Sequence, residues 1–229
     1  MSATRKPVLK RRPLEPARQP IEGLILLVGI VGLMWIIEAI NSLDHGGLDG
    51  GGIYPRNVDH IWAIFTAPFL HENFSPHLVD NTIPLLFMGA IIALRGAARL
   101  LRVTLIVIVI GGLGTWLIAP AGTNTIGASG LVFGYATYLF ARGVFDRNFL
   151  EVLTGVVVGV VWGGALVASI VPHAGISWQA HVCGAVAGVV AAWWLAGRRR
   201  EQRSGSPPAD GHPPEHRELH ESLDRALAQ

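Results

Sequence analysis

Six apolar stretches recur along the chain, at residues 21–40, 78–94, 103–119, 127–141, 152–171 and 181–196, with short polar segments between them. A helix rises about 1.5 Å per residue, so roughly 20 residues cross the ~30 Å of bilayer hydrocarbon. Between four and six of these segments meet that length, and six is the count expected. The expected fold is therefore all-α: a polytopic membrane protein with six transmembrane helices. Only 15% of the 229 residues are charged, against about a quarter in a soluble domain, and mean hydropathy is +0.44. That composition argues against a soluble enzyme with a conventional polar surface. The single cysteine excludes an intramolecular disulfide and any cysteine-based zinc site.

The basic residues sort by side. Of the 18 Lys and Arg residues, six precede the first stretch (Arg5, Lys6, Lys10, Arg11, Arg12 and Arg18). Three lie between the second and third (Arg95, Arg99 and Arg102), and two between the fourth and fifth (Arg142 and Arg147). Six more follow the last (Arg198, Arg199, Arg200, Arg203, Arg217 and Arg225), which leaves only Arg56 for the other side. The positive-inside rule then puts both termini in the cytoplasm and makes the span count even. This also explains a net charge of +2 and a pI near 9.0 without a nucleic-acid partner. Three regions follow: a basic cytoplasmic tail at 1–20, a membrane core at 21–197, and a polar cytoplasmic tail at 198–229. The first apolar run is about twice the usual length for a cleavable signal and lacks a clear cleavage site.

Polar side chains inside apolar spans face a bundle interior or a wet cavity. In this topology spans two, four and six all begin at the external face. Span two opens with His77-Leu78-Val79-Asp80-Asn81, span four with Gly127-Ala128-Ser129-Gly130, and span six with Trp178-Gln179-Ala180-His181. His77 and Asn81, at i and i+4, share a helical face. Taken singly, Ser129 reads as a packing serine, His181 as a satisfied interior histidine, and His77 and Asn81 as interhelical glue. Together they place His, Asn, Ser and His at one depth in one leaflet. Gly130 and Gly134, with Ala180, Gly184, Gly188 and Ala192, form small-residue stripes that allow spans four and six a close crossing. Such a crossing brings Ser129 toward the His181 imidazole, the pairing a serine nucleophile needs, with His77 and Asn81 as donors for an oxyanion.

Span four is short, about 22 Å from Gly127 to Ala141. The segment from Pro120 to Thr125 is thus expected to dip below the surface and border a water-accessible recess above Ser129. Glu38 is expected to pair with Arg56 or to bond loop backbone. His60, His71 and His173 are expected on external loops in structural or interfacial roles, and Asp80 is given no chemistry. The glycines at 46, 47, 50, 51 and 52 suggest a flexible first loop half-embedded in the outer leaflet.

These motifs resemble the rhomboid family of intramembrane serine proteases. The serine motif Gly127-Ala128-Ser129-Gly130 continues as Leu131-Val132-Phe133-Gly134, and the histidine motif runs Ala180-His181-Val182-Cys183-Gly184 to Gly188. His77-Leu78-Val79-Asp80-Asn81 follows Ala67-Pro68-Phe69-Leu70-His71, and Gly52-Ile53-Tyr54-Pro55-Arg56 is similar to the start of the family's first loop. The resemblance covers about residues 21–197. It implies Ser129 as nucleophile and His181 as general base, a dyad without a carboxylate. His77, Asn81 and the Ser129 amide would form the oxyanion hole. Phe133 would stack on the catalytic imidazole at the substrate-binding site. The implied partners are single-span membrane proteins within the lipid bilayer, cleaved near the external face, with no metal and no cofactor. Two departures stand out: five residues separate His71 from His77 where the family more often has four, and Cys183 occupies a position that is usually glycine.

Two other readings compete. A catalytically inactive rhomboid-like protein that binds membrane clients would share the bundle, although such proteins typically lose the serine or the histidine. A small transporter is disfavoured, because no inverted repeat links the halves and the polar residues sit in one leaflet. The use of 16 Arg against 2 Lys points to a GC-rich bacterial genome, hence a bacterial plasma membrane.

Overall fold

The computed structural model describes residues 18–146, 149–173 and 175–204. The chain divides into two compact units, Met1–Ala196 and Gly197–Gln229. Of the second unit only 197–204, the end of the last helix, are described. Of the tails expected at 1–20 and 198–229, residues 18–20 begin the first helix and 198–204 end the last, and the rest lie outside the described residues.

The described residues are helical, with two isolated β-bridges and no strand. Helix α1 runs Arg18–Leu43, the short α2 Ala63–Thr66, and α3 Val79–Ala93 behind a π-helical turn at Phe74–Leu78. The next span is α4 (Ala97–Ile106), a π-turn at Val107–Gly111, then α5 (Gly112–Ile118). It is followed by α6 (Ser129–Asp146), α7 (Phe149–Ile170) and α8 (Trp178–Ser204). Several of these helices run past the apolar segments, because hydropathy marks the lipid-facing stretch while backbone hydrogen bonding continues into the interface. Span four departs the other way at its start. Gly127, expected in the helix, has φ +118°, which an L-residue helix cannot contain, so α6 begins at Ser129.

Among the described residues five helices are long and apolar enough to cross a membrane: Gln19–Leu43, Phe74–Ala93, Ala97–Ile118, Glu151–Ile170 and Trp178–Ala196. Helix α6 is not among them, and its position gives the reason. It packs against both α3 and α7 and buries Tyr135, Tyr138 and Arg142. A helix surrounded by protein has no need of an apolar surface all round. Helix α7 is the reverse case, with Val156, Val157, Val160, Val161 and Val167 exposed.

Lipid removes the hydrophobic drive between helices, so contact here depends on close packing. Leu27, Val31 and Met34 of α1 and Leu85, Met88 and Ile92 of α3 belong to one core cluster with Leu131, Val132 and Tyr135 of α6. Helices α6 and α8 approach closely along their glycines. A Cβ on Gly184 would fall on the Gly130 carbonyl, and one on Gly188 on the Gly134 carbonyl. The two stripes therefore meet backbone to backbone.

At the far end of α6 from Ser129 lies a buried ion network. Arg142 Nε sits 2.7 Å from Glu151 Oε2 and 3.1 Å from Asp146 Oδ2, while Arg95 Nη2 reaches Glu151 Oε1 at 2.5 Å. Arg142 also donates to the Tyr138 hydroxyl at 3.0 Å. This network ties the α3–α4 turn to α6 and α7. Glu151→Leu leaves the buried guanidinium with Asp146 and Tyr138, an expected loss of about 3 kcal/mol. Thermal unfolding in detergent measures this, and an unchanged midpoint would show that the network contributes nothing to stability.

Candidate active site

The turn before α6 is shaped by glycine and by two histidines. Gly127 needs its positive φ, and a Cβ there would also lie 2.5 Å from His77 Nε2, so the position has neither the conformation nor the space for a side chain. Its amide donates to the Ala67 carbonyl at 2.9 Å, and the next amide, of Ala128, donates to His71 Nε2 at 3.2 Å. Ser129 follows as the first residue of α6, where an amide has no intrahelical acceptor.

The close crossing brings Ser129 and His181 together. Ser129 Oγ lies 2.9 Å from His181 Nε2, and His181 Nδ1 lies 2.8 Å from the Ser169 carbonyl oxygen. A carbonyl can only accept, so Nδ1 carries the hydrogen. In the neutral ring Nε2 then holds the lone pair, and the Ser129 hydroxyl donates to it. The Phe133 ring stacks on this imidazole with centroids 4.4 Å apart and planes 10° from parallel. Phe133 is one turn into α6, so the helix that carries the serine also carries the ring that seats the histidine.

Asn81 is carried by α3 and His77 by the π-turn before it, beside the Gly127 turn that leads into Ser129. His77 Nδ1 accepts the Glu72 amide at 3.2 Å, which leaves Nε2 as the protonated nitrogen, turned toward Gly127. The expected i, i+4 relation takes a particular form. His77 lies in the π-turn, and Asn81 Nδ2 donates to the His77 carbonyl at 2.9 Å. Asn81 is buried.

Other expectations need correction. Glu38 and Arg56 do not pair. Glu38 is buried and accepts from the Ser42 hydroxyl at 3.1 Å, while Arg56 donates to the Leu117 and Ala119 carbonyls at the end of α5. Those carbonyls lack intrahelical donors because the helix ends there, and the two hydrogens of the Arg56 Nη1 group serve both. His71, expected on an external loop, is fully buried. Its burial and the nearby His77 hold its pKa down from 6.5 to about 4, against a smaller upward pull from the Phe69 carbonyl. A histidine depressed in this way contributes stability that is complete above pH 6.5 and is lost as pH falls toward 4. We expect the unfolding midpoint to drop over that window, at about 1.4 kcal/mol per pH unit from this group. The drop should be smaller in His71→Gln, and equal drops in both proteins would exclude His71 as its source.

The glycine-rich first loop is tied down at several points. Ile53 and Thr125 exchange backbone hydrogen bonds of 2.9 and 3.0 Å, and Asn124 donates to the Asp49 carbonyl at 2.7 Å. The segment from Pro120 to Thr125 borders a cavity of about 360 Å³, whose other wall includes His173, Ile176, Ser177 and Gln179. Ser129 is not among its lining residues. A smaller apolar pocket, about 40 Å³, lies among Gly127, Gly130, Ala180 and Gly184.

A multi-pass integral membrane protein of packed helices, with a hydrogen-bonded serine and histidine brought together by two of them, is the class these features define. The chain belongs to the rhomboid family: the Rhomboid domain model matches residues 58–198. An uncharacterized protein of Mycobacterium tuberculosis is 39% identical over 218 residues, covering 88% of this chain and 90% of its own. One from Mycobacterium leprae is 40% identical over 191 residues, 80% of this chain and 75% of its own. The chloroplast rhomboid-like protein 11 of Arabidopsis thaliana is 27% identical, covering 72% and 65% respectively.

Two parts of this arrangement have no signal in the sequence. The Ser169 carbonyl that orients His181 is backbone, which any residue type would supply. The His71 contact depends on a loop returning 57 residues earlier in the chain to meet Ala128.

Proposed function

We propose that this protein is an intramembrane serine endopeptidase with Ser129 as nucleophile and His181 as general base. The observation that carries the reading is the ordered chain from the Ser169 carbonyl through the His181 imidazole to Ser129 Oγ. It holds the one tautomer that can take a proton from the serine, the task a base must perform because a free hydroxyl is a poor nucleophile.

In the proposed reaction Ser129 Oγ attacks a backbone carbonyl carbon and its proton passes to His181 Nε2. The resulting imidazolium keeps its Nδ1–H bond to Ser169, which takes the orienting place a triad gives to a carboxylate. The developing oxyanion is met by the Ser129 amide, by His77 Nε2–H and by the Asn81 hydrogen not bonded to the His77 carbonyl. His181 protonates the departing amine, then deprotonates a water that releases the acyl group. Phe133 holds the imidazole plane and borders the substrate strand.

The topology proposed with this mechanism has six spans, α6 being the inner one, and both termini in the cytoplasm. Seventeen of the 18 Lys and Arg residues then lie on one side. The membrane is a bacterial plasma membrane and the site opens outward. Substrates are single-span membrane proteins cut near the external end of their helix. Reconstitution with a panel of such substrates, with product termini read by mass spectrometry, tests this. Cleavage within about two helical turns of the external boundary is expected. Stable binding of every substrate with no new termini would instead favour the client-binding reading.

A further inference from the structure

We infer that His71 is a positioning residue for this reaction: by accepting the Ala128 amide it fixes the Gly127–Ala128 peptide plane, from which the next plane aims the Ser129 amide at the oxyanion. The inference rests on the protease reading above and extends it to a residue that reading does not use.

Three successive amides lie along the turn. Those of Gly127 and Ala128 are both taken by the segment 67–71, through the Ala67 carbonyl at 2.9 Å and His71 Nε2 at 3.2 Å. The third, of Ser129, is the first that is left for a ligand. Each amide lies in its own rigid peptide plane, and successive planes are joined only through φ and ψ of the residue between them. With Ala128 in its place just ahead of α6, a constraint on its amide is therefore felt one residue later. Ala128 is fully buried, which makes water unavailable as a substitute acceptor. Without His71 its amide must turn toward another partner and carry the neighbouring plane with it.

His71 is itself held from several directions. Its ring meets the His77 ring edge-on, with centroids 5.1 Å apart at 68°. Its carbonyl accepts from Asn41 Nδ2 of α1 at 3.2 Å, and the same amide group reaches Asp49. The two imidazoles meet one turn with complementary nitrogens. His71 presents an acceptor to Ala128, and His77 presents a protonated Nε2 beside Gly127. A charged His71 would offer two donors and no acceptor, so the arrangement holds only while that ring is neutral.

Turnover of one reconstituted single-span substrate by wild type, His71→Leu and His71→Gln tests the inference, with rates per titrated folded enzyme. Leu removes the acceptor, and a kcat loss on the order of tenfold is expected, below the 10²–10³ for deleting an oxyanion donor outright, with KM within about twofold. Gln offers an amide oxygen near the position of Nε2 and should recover most of that loss. A merely structural role would lower the yield of folded enzyme in both variants and leave kcat per folded site alone. Should the Leu variant fail to fold, His71→Asn, whose oxygen falls short of Ala128, carries the same expectation. An active wild type whose Leu or Asn variant keeps its kcat, or whose Gln variant loses as much as Leu, overturns this inference alone. A wild type with no turnover overturns the protease reading and this inference with it.

Discussion

Ser129→Ala should reduce turnover of a single-span substrate by about 10⁴-fold or more while the protein stays folded, since deleting the nucleophile of a serine hydrolase removes the covalent route altogether. The fold should be indifferent to the change. The Ser129 hydroxyl makes one hydrogen bond, to His181 Nε2, and His181 keeps its bond to Ser169 and its stack on Phe133 without it. Circular dichroism and the unfolding midpoint report the fold, and product formation reports turnover. A protein that only binds clients has no use for the hydroxyl, and its Ser129→Ala variant would match wild type in every measurement. Activity surviving at more than a few per cent would mean that another residue carries the chemistry.

Gly184→Val is the second large effect, and it acts on backbone rather than on a functional side chain. The new Cβ falls on the Gly130 carbonyl, and neither atom belongs to a flexible side chain that could give way. The helices must part, and they part beside the one contact that needs them close, since Gly130 adjoins Ser129 and His181 sits one turn before Gly184. The Ser129–His181 bond is 2.9 Å long and has little room to lengthen. A misplacement of about 1 Å costs on the order of 10² in rate, and overpacking of this kind costs about 3 kcal/mol of stability. Both the unfolding midpoint and the turnover rate should fall. Gly159→Val on α7 is the matching control: a Cβ there meets nothing within 4 Å, and the change should leave stability within about 0.5 kcal/mol of wild type. Equal behaviour of the two variants would mean that the stripe does not hold α6 against α8.

How far the sequence could be read depended on what kind of feature was being read. Apolar length and small-residue spacing are properties of side chains, and they pointed to the lipid-facing helices and to the stripes that cross at Gly130 and Gly184. Helix α6 was harder. Its inner position allows Tyr135, Tyr138 and Arg142, so hydropathy understates it, and its start depends on a positive φ at Gly127 that composition does not announce. The rest of the candidate site is built from backbone and from long returns of the chain. Nothing in Ser169 as a residue type marks its carbonyl as the partner of His181. Arg56 looked like a partner for Glu38 because opposite charges on one side invite pairing, yet the unfinished end of α5 offered two carbonyls that its Nη1 group serves. His71 reads as a loop histidine because it lies between the first two apolar stretches, and its burial follows only from where that loop packs.

The central claim is that Ser129 is an activated nucleophile, and a fluorophosphonate serine probe tests it without knowledge of the substrate. Purified wild type in detergent should become covalently labelled, and labelling should vanish in Ser129→Ala and in His181→Ala. A folded wild type that takes up no label, or a His181→Ala variant that labels as fast as wild type, would contradict it.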